Sequence, residues 1–178
     1  MKKVLYVLGG LDDRDVDWLL SAGERRVVDP DTELVTLGKP IEYLYIVIDG
    51  RLEVRITKES VLATLGAGEI IGELSFLDSR PPNATVVSVE RSAVLAVPAG
   101  KLERKLKTDT GFGYRFYRAL GVMLTDRLRD TVGLLAYGKE SHLDESVEEA
   151  NELSPDLMEN LSLAATRFDH LLKRLRTE

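Results

Sequence analysis

The hydrophobic positions of this chain change their period near Pro98. Between Arg25 and Pro98 the period changes to two, as "RLEVRITKES" shows, and other short runs such as "EYLYIVIDG" are mostly apolar. Val, Ile, Leu and Tyr fill these runs, and turn residues separate them about every 8–12 positions. Many short strands with tight turns indicate a β-sandwich or a jelly roll rather than a parallel sheet.

Helical spacing is found on both sides of this strand region. Before it, "LDDRDVDWLLSAGERR" predicts a short helix that Asp12 or Asp13 caps and that ends near Gly23. After it, "FYRALGVMLTDRLRDTVGLLAYG" predicts a long amphipathic helix with one mostly apolar seam. The seam steps by three or four residues through Tyr117, Leu120, Leu124, Leu128, Thr131 and Leu135.

The end of the chain predicts a second amphipathic helix. Ser154 and Pro155 are suited to a helix cap and a first helical position, and the acidic residues 138–154 before the helix are interpreted as a linker. The chain thus divides into a domain over residues 1–137, the linker, and a helix over residues 155–178. The apolar seam of this C-terminal helix needs a partner helix in the same chain or in another. The seam residues are Leu157, Leu161, Ala164, Phe168, Leu171 and Leu175.

Composition agrees with one globular domain and an appendage. The chain has 178 residues, no cysteine and a net charge of −6. Residues 1–137 carry 19 basic against 20 acidic residues, and residues 138–178 carry 5 against 10. No basic domain stands out, which argues against a nucleic-acid partner. No apolar run reaches the length of about 20 residues that spans a bilayer, so we expect a cytoplasmic protein without a membrane partner.

Catalytic and metal sites lack their usual residues. His142 and His170 both lie in the C-terminal segment, outside the predicted strands. A metal enzyme on a jelly roll would need several histidines or carboxylates that converge inside the barrel. Without cysteine or a "GxSxG" motif, nucleophilic catalysis has no candidate residue. We therefore expect no enzyme activity, no metal and no cofactor.

The stretch "GEIIGELSFLDSRPPNATVVS" has the features of an anion site. Gly68 and Gly72 bracket a turn, and "ELSFLD" predicts one helical turn whose free N–H groups could receive an anion. Glu73 at the same end could accept hydrogen bonds from sugar hydroxyls. The alternative is a β-corner that the glycines mark and that binds nothing.

Two motifs connect the chain to a known family. "LGKPIEYLYIVIDGRLEV" and "GAGEIIGELSFLD…ATV" are similar to the strand pair and the phosphate-binding cassette of the cyclic-nucleotide-binding domains of the catabolite activator type. The match runs from about Leu11 to Tyr137. The resemblance implies a mainly β fold with helices, in which an eight-stranded jelly-roll barrel is followed by a long helix that pairs with its copy. The matching strand-pair positions are Gly38, Tyr45, Gly50, Leu52 and Val54.

The resemblance also implies a ligand site. In the family, the glutamate aligned with Glu73 holds the ribose 2′-hydroxyl, and the cassette N–H groups hold the cyclic phosphate. The arginine that neutralises this phosphate falls on Asn83, so Arg80 either turns inward to replace its charge or is a solvated surface residue. Thr131 falls near the position where relatives contact the base. The implied ligand-binding residues are Gly72, Glu73, Leu74, Ser75, Arg80, Asn83, Ala84, Thr85 and Thr131.

Two functions of different class follow. The first is a stand-alone regulatory sensor that binds cAMP, cGMP or a cyclic dinucleotide and signals to a protein partner, which Glu73 and the cassette glycines favour. The second is a degenerate domain that binds no nucleotide and serves as a dimeric interaction scaffold, which Asn83 favours. In both we expect a homodimer through residues 113–137. The 41 residues after Tyr137 show no recognition helix, so we expect the family's DNA-binding half to be missing.

Overall fold

The computed structural model describes residues 3–137 and 155–176. The predicted acidic linker over residues 138–154 lies outside this range. Among the described residues, no helix combines the length and the apolar character that a membrane crossing requires. Also outside the described part are His142, Ser154 and the side chains of Leu135, Leu157 and Leu161.

Eight strands form two antiparallel sheets. The first sheet has the order β1-β8-β3-β6 and the second the order β2-β7-β4-β5. This is the eight-stranded jelly roll expected from the sequence, so the predicted fold class is confirmed. The strands are β1 (Glu24–Val28), β2 (Glu33–Val35), β3 (Tyr43–Asp49), β4 (Leu52–Thr57), β5 (Ser60–Leu65), β6 (Ile70–Ile71), β7 (Thr85–Ser88) and β8 (Ser92–Pro98).

Six helices accompany the sheets in the described part of the chain. They are α1 (Val4–Gly10), α2 (Asp13–Ala22), α3 (Glu73–Asp78), α4 (Ala99–Thr108), α5 (Thr110–Tyr137) and α6 (Pro155–Arg176). The sequence pattern does not predict α1, because its seven residues are too few to show a helical period. The cap of α2 is as predicted: Asp12 accepts from the N–H of Asp15, and the Asp15 carboxylate accepts from the N–H of Asp12 in return.

The first sheet is the middle layer of the molecule. Because side chains alternate along a strand, Leu44 and Ile46 of β3 pack against the helices, while Tyr45 and Val47 pack against the second sheet. The core on the helix side includes Phe112 at the start of α5. This arrangement holds α5 along the barrel, where one of its faces reaches the cavity described below.

The part of the predicted α6 seam that the structure describes is buried within the same chain. α6 lies on α1 and α2, and its buried residues share one core cluster with residues of α5. Arg167 adds polar contacts, because its guanidinium donates to the carbonyl oxygens of Leu8 (2.9 Å) and Leu11 (2.6 Å) at the end of α1. The seam therefore has its partner helices in this chain. Its buried residues are Ala164, Phe168, Leu171 and Leu175.

The predicted seam of α5 crosses the border between a buried and an exposed face. Leu120 is fully buried and Leu124 packs partly against the core, but Tyr117 is 50% exposed and Leu128 63% exposed. Apolar residues surround most of this helix, so their period alone does not identify the arc that meets the barrel. That arc is centred on Phe112, Phe116 and Met123.

Candidate functional site

A cavity of about 480 Å³ lies between the second sheet, the β6–α3 segment and α5. Its volume is typical of small-molecule sites, which occupy about 300–1,000 Å³. One side, which we name the sheet wall, carries no charged residue among those described. The sheet wall consists of Val35, Val54, Leu62, Ala63, Thr64, Leu65, Pro82, Asn83, Ala84 and Val86.

The opposite side, which we name the charged wall, carries the ionisable groups of the cavity. These groups are Lys3, Glu69, Glu73 and Arg127, and they come from the start of α1, the loop before β6, α3 and α5. The charged wall therefore depends on how the helices sit on the barrel. Its other residues are Ile70, Ile71, Gly72, Leu74, Ser75 and Thr131.

Gly72 makes the turn that brings Glu73 to the cavity. Its φ of +92° lies in the left-handed region that favours glycine. A Cβ at this position would lie 3.1 Å from the carbonyl oxygen of Tyr43, so a side chain would also crowd β3. The chain then enters α3, the helical turn predicted from "ELSFLD", with Glu73 as its first residue.

In the charged wall, the buried carboxylate of Glu73 pairs with Arg127, whose side chain is 34% exposed. Glu73 is 4% exposed, and its Oε1 accepts a hydrogen bond from Nη1 of Arg127. Nη2 of the same guanidinium lies 3.9 Å from Oε2 of Glu69. Removing Arg127 would leave the buried carboxylate of Glu73 without its positive partner, which is destabilising because the charge is then uncompensated. Arg127 therefore compensates Glu73 inside the cavity.

Lys3 and Glu69 complete the charged wall. Nζ of Lys3 lies 3.3 Å from Oδ2 of Asp126 on α5, and the N–H of Val4 donates to the carbonyl of Gly68 (2.7 Å). These contacts fix the start of α1 beside the cavity. Burial raises the pKa of Glu69, and the nearby positive charges of Arg127 and Lys3 oppose this shift. The described lining thus contains two cations and two carboxylates.

The structure brings most of the predicted ligand-binding residues together, but not all. Arg80 is outside the cavity lining: its side chain is 84% exposed, and Nε lies 3.6 Å from Oδ2 of Asp78. Thr85 is also outside, and its Oγ1 accepts a hydrogen bond from the N–H of Leu37 (3.1 Å). Arg80 thus has the surface position that the sequence left open. The predicted residues that line the cavity are Gly72, Glu73, Leu74, Ser75, Asn83, Ala84 and Thr131.

Two residues of the charged wall, Arg127 and Lys3, are not among the ligand-binding residues predicted from the sequence. Arg127 lies four residues before Thr131, so the two share one face of α5, and Oγ1 of Thr131 donates to the carbonyl of Arg127 (2.9 Å). This spacing is the signal that could have identified Arg127. No comparable signal points to Lys3, because α1 itself was not predicted.

The cavity is suited to bind a ligand with one polar and one apolar part. Carboxylate oxygens accept hydrogen bonds from hydroxyls, and a guanidinium donates to anions. The sheet wall offers an apolar surface and the neutral amide of Asn83. In the described part of the chain, no three His, Cys, Asp or Glu side chains are placed to hold a metal ion.

Comparison with known families gives a match to the cyclic nucleotide-binding domain over residues 25–109. A curated relative, the cyclic AMP receptor protein of Thermus thermophilus, is 37% identical over 99 residues, which are 49% of this chain and 43% of that protein. The chain therefore spans less than half of the length of that relative.

Solved structures have the same fold. A cyclic nucleotide-binding domain from Methylobacillus flagellatus has a TM-score of 0.66 and 23% identity, with 80% of this chain and 85% of that chain covered. The catabolite activator protein of Thermus thermophilus has a TM-score of 0.60 and 22% identity, with 97% of this chain and 87% of that chain covered. At these identities the likeness shows the fold alone, which is the jelly roll with its long helix.

Proposed function

We propose that the cavity binds a cyclic nucleotide, cAMP or cGMP, and that the chain is a regulatory module, because residues 25–109 match the model of the cyclic nucleotide-binding domain. The observation that carries this proposal is the buried carboxylate of Glu73 at the polar side of a cavity with an apolar opposite wall. A nucleotide has the matching parts, since its ribose carries a hydroxyl and its base has an apolar face. Glu73 would accept the hydrogen bond from the ribose hydroxyl.

The two walls suggest how the base of the proposed nucleotide is oriented in the cavity. The sheet wall offers Val35, Val54 and Leu65 to the face of a ring, and Thr131 of α5 lies at the other side with its hydroxyl already donated to the helix backbone. The base would therefore be held mainly by apolar contact. The name of the Thermus relative supports cAMP as the first ligand to test.

Calorimetric titration with cAMP, cGMP and a cyclic dinucleotide tests the proposal. We expect binding of a mononucleotide, and we expect Glu73→Gln to weaken it by about 10- to 150-fold, since a hydrogen bond to a charged group contributes about 1.5–3 kcal/mol. Glu33→Gln is the matched control, because Glu33 lies on β2 outside the cavity lining and accepts from Oγ1 of Thr36 (3.0 Å). If no mononucleotide gives heat at millimolar concentration, the scaffold function replaces the sensor function.

We also propose that α5 pairs with its copy in a homodimer. Four exposed apolar residues lie on one side of this helix, opposite Met123, and we name them the α5 stripe. Leu128 and Val132 of the stripe directly follow Arg127 and Thr131, which line the cavity. A pair of α5 helices would therefore sense changes at the cavity and pass them to a protein partner. The stripe consists of Tyr114, Tyr117, Leu128 and Val132.

Light scattering at micromolar concentration tests the dimer. We expect twice the chain mass for the wild type and one chain mass for Leu128→Asp, because a carboxylate in an apolar helix pair loses its hydration. Leu163→Asp is the control, since it makes the same substitution at an exposed leucine of α6. A monomeric wild type would rule out the α5 pairing.

A further inference from the structure

We propose that Arg127 of α5 supplies the cationic contact to the phosphate of the bound nucleotide while it remains paired with Glu73. The proposal rests on the proposed function, because a cavity that binds no nucleotide has no phosphate to hold. It assigns the charge recognition to the long helix rather than to the loop that leads into β7, where Asn83 is neutral.

A phosphate that enters this cavity needs a cation, because a buried anion without a partner is strongly destabilising. The sheet wall carries no charge in its described residues, and Asn83 can donate only from a neutral amide. Arg80 is exposed and lies next to Asp78, outside the lining. The cations that line the cavity, among the described residues, are Lys3 and Arg127.

Arg127 suits a phosphate better than Lys3. The side chain of Lys3 is 13% exposed and its Nζ lies 3.3 Å from Oδ2 of Asp126 on α5, so Lys3 already contributes to the contact between α1 and α5. A guanidinium presents five N–H donors in a planar fork that matches two phosphate oxygens at once. The side-chain hydrogen bond of Arg127 to Glu73 uses Nη1, and Nη2 is 3.9 Å from Glu69. The guanidinium can therefore keep its hydrogen bond to Glu73 and still donate to a second anion.

The chemistry of a cyclic nucleotide fits this bridging position. The cyclic phosphate is fused to the ribose, so the 2′-hydroxyl and the phosphate are neighbours on the same ring. Glu73 and Arg127 are also neighbours, joined by a direct hydrogen bond. If Glu73 accepts from the hydroxyl, Arg127 is beside the place where the phosphate must lie. One ion pair can thus recognise both groups.

Affinity for cAMP in four proteins tests this assignment: the wild type, Arg127→Gln, Asn83→Arg, and the two substitutions combined. We expect Arg127→Gln to weaken binding by about 10- to 150-fold, from the loss of a charge-assisted hydrogen bond. We expect Asn83→Arg to restore most of this loss in the combined variant, since it returns a guanidinium to the same cavity. In the wild-type background the gain from Asn83→Arg should be smaller than this restoration.

The recovery of cAMP affinity in the combined variant distinguishes two roles of Arg127, namely binding the phosphate and holding Glu73 in place. If Arg127 only held Glu73 in place, Asn83→Arg would give the same gain in the wild-type and Arg127→Gln backgrounds, and that outcome would overturn the proposal. So would an affinity of Arg127→Gln within twofold of the wild type. If Arg127→Gln does not fold, Arg127→Lys keeps the charge without the fork and should still lose affinity, whereas Arg129→Gln, an exposed arginine of the same helix, should lose none. Failure of the wild type to bind any mononucleotide would instead refute the proposed function.

Discussion

The two walls of the cavity differ in charge and in origin. The sheet wall comes from one contiguous sheet and its entry loop, and its described residues are uncharged. The charged wall joins residues from α1, the loop before β6, α3 and α5, and two of its contacts, Lys3 to Asp126 and Arg127 to Glu73, tie α5 to the rest of the domain.

This difference gives the two walls different roles: the sheet wall provides a fixed surface, and the charged wall responds to the ligand. A sheet is rigid because its strands share backbone hydrogen bonds, so the sheet wall offers a fixed apolar surface. The charged wall can respond to a ligand, because an anion added near Arg127 and Glu69 changes the balance of charges that hold α5. Since Leu128 of the α5 stripe follows Arg127 directly, the charged wall is the part of the cavity that connects to other surfaces of the molecule.

The largest expected effect comes from removing the support of the charged wall. α6 packs on α1, and its core residues contact the same cluster as α5. Phe168→Asp with Leu171→Asp would bury two carboxylates in that cluster. We expect a loss in the free energy of unfolding of at least about 3–5 kcal/mol, the cost of truncating one large buried side chain. Urea denaturation followed by circular dichroism would measure it.

Leu163→Asp is the control for this double variant, because it puts a carboxylate at an exposed position of the same helix. It should leave the free energy of unfolding nearly unchanged. If the double variant unfolds at the same urea concentration as Leu163→Asp, α6 does not stabilise the domain, and the dependence of the charged wall on α6 is refuted.

The contrast between the walls also explains what the sequence could predict. Strands such as β4 alternate visibly in sequence, and Gly72 followed by "ELSFLD" marks α3, so the barrel and Glu73 are predictable. The charged wall depends on contacts between distant positions, such as Arg127 and Glu73, which are 54 residues apart. No local pattern encodes such a contact. The period of α5 likewise gave its helix but not the arc that meets the barrel, because packing decides that arc.

A smaller effect concerns Glu69, the carboxylate of the charged wall with a raised pKa. Burial raises this pKa above its ordinary value of 4.5, with the negative charge of Glu73 adding to the shift and Arg127 and Lys3 opposing it. The folded protein therefore binds this proton more tightly than the unfolded chain does. The resulting stabilisation is complete below the unfolded pKa and is lost as the pH rises through the folded pKa.

Glu69→Gln should remove that part of the pH dependence. We expect the free energy of unfolding of the wild type to fall relative to that of the variant as the pH is raised from 4.5 through the folded pKa of Glu69. Urea denaturation at a series of pH values measures the difference, with Glu33→Gln as the control on β2. Parallel curves for wild type and Glu69→Gln would show that Glu69 does not titrate differently in the folded state.

The smallest expected effect is at Arg80. If this cation lined the cavity on the side of the sheet wall, that wall would no longer be uncharged. Its side chain is 84% exposed and its partner is Asp78 at 3.6 Å. Exposed ion pairs contribute about 0–1 kcal/mol, so Arg80→Ala should change stability little and the affinity for cAMP by less than about twofold. Arg91→Ala, at another exposed arginine, is the matched control for the calorimetric titration. A tenfold loss with Arg80→Ala but not with Arg91→Ala would mean that Arg80 turns into the cavity when the ligand binds. In that case the ligand would be held by charges on both sides, and α5 would no longer be the main element that responds to it.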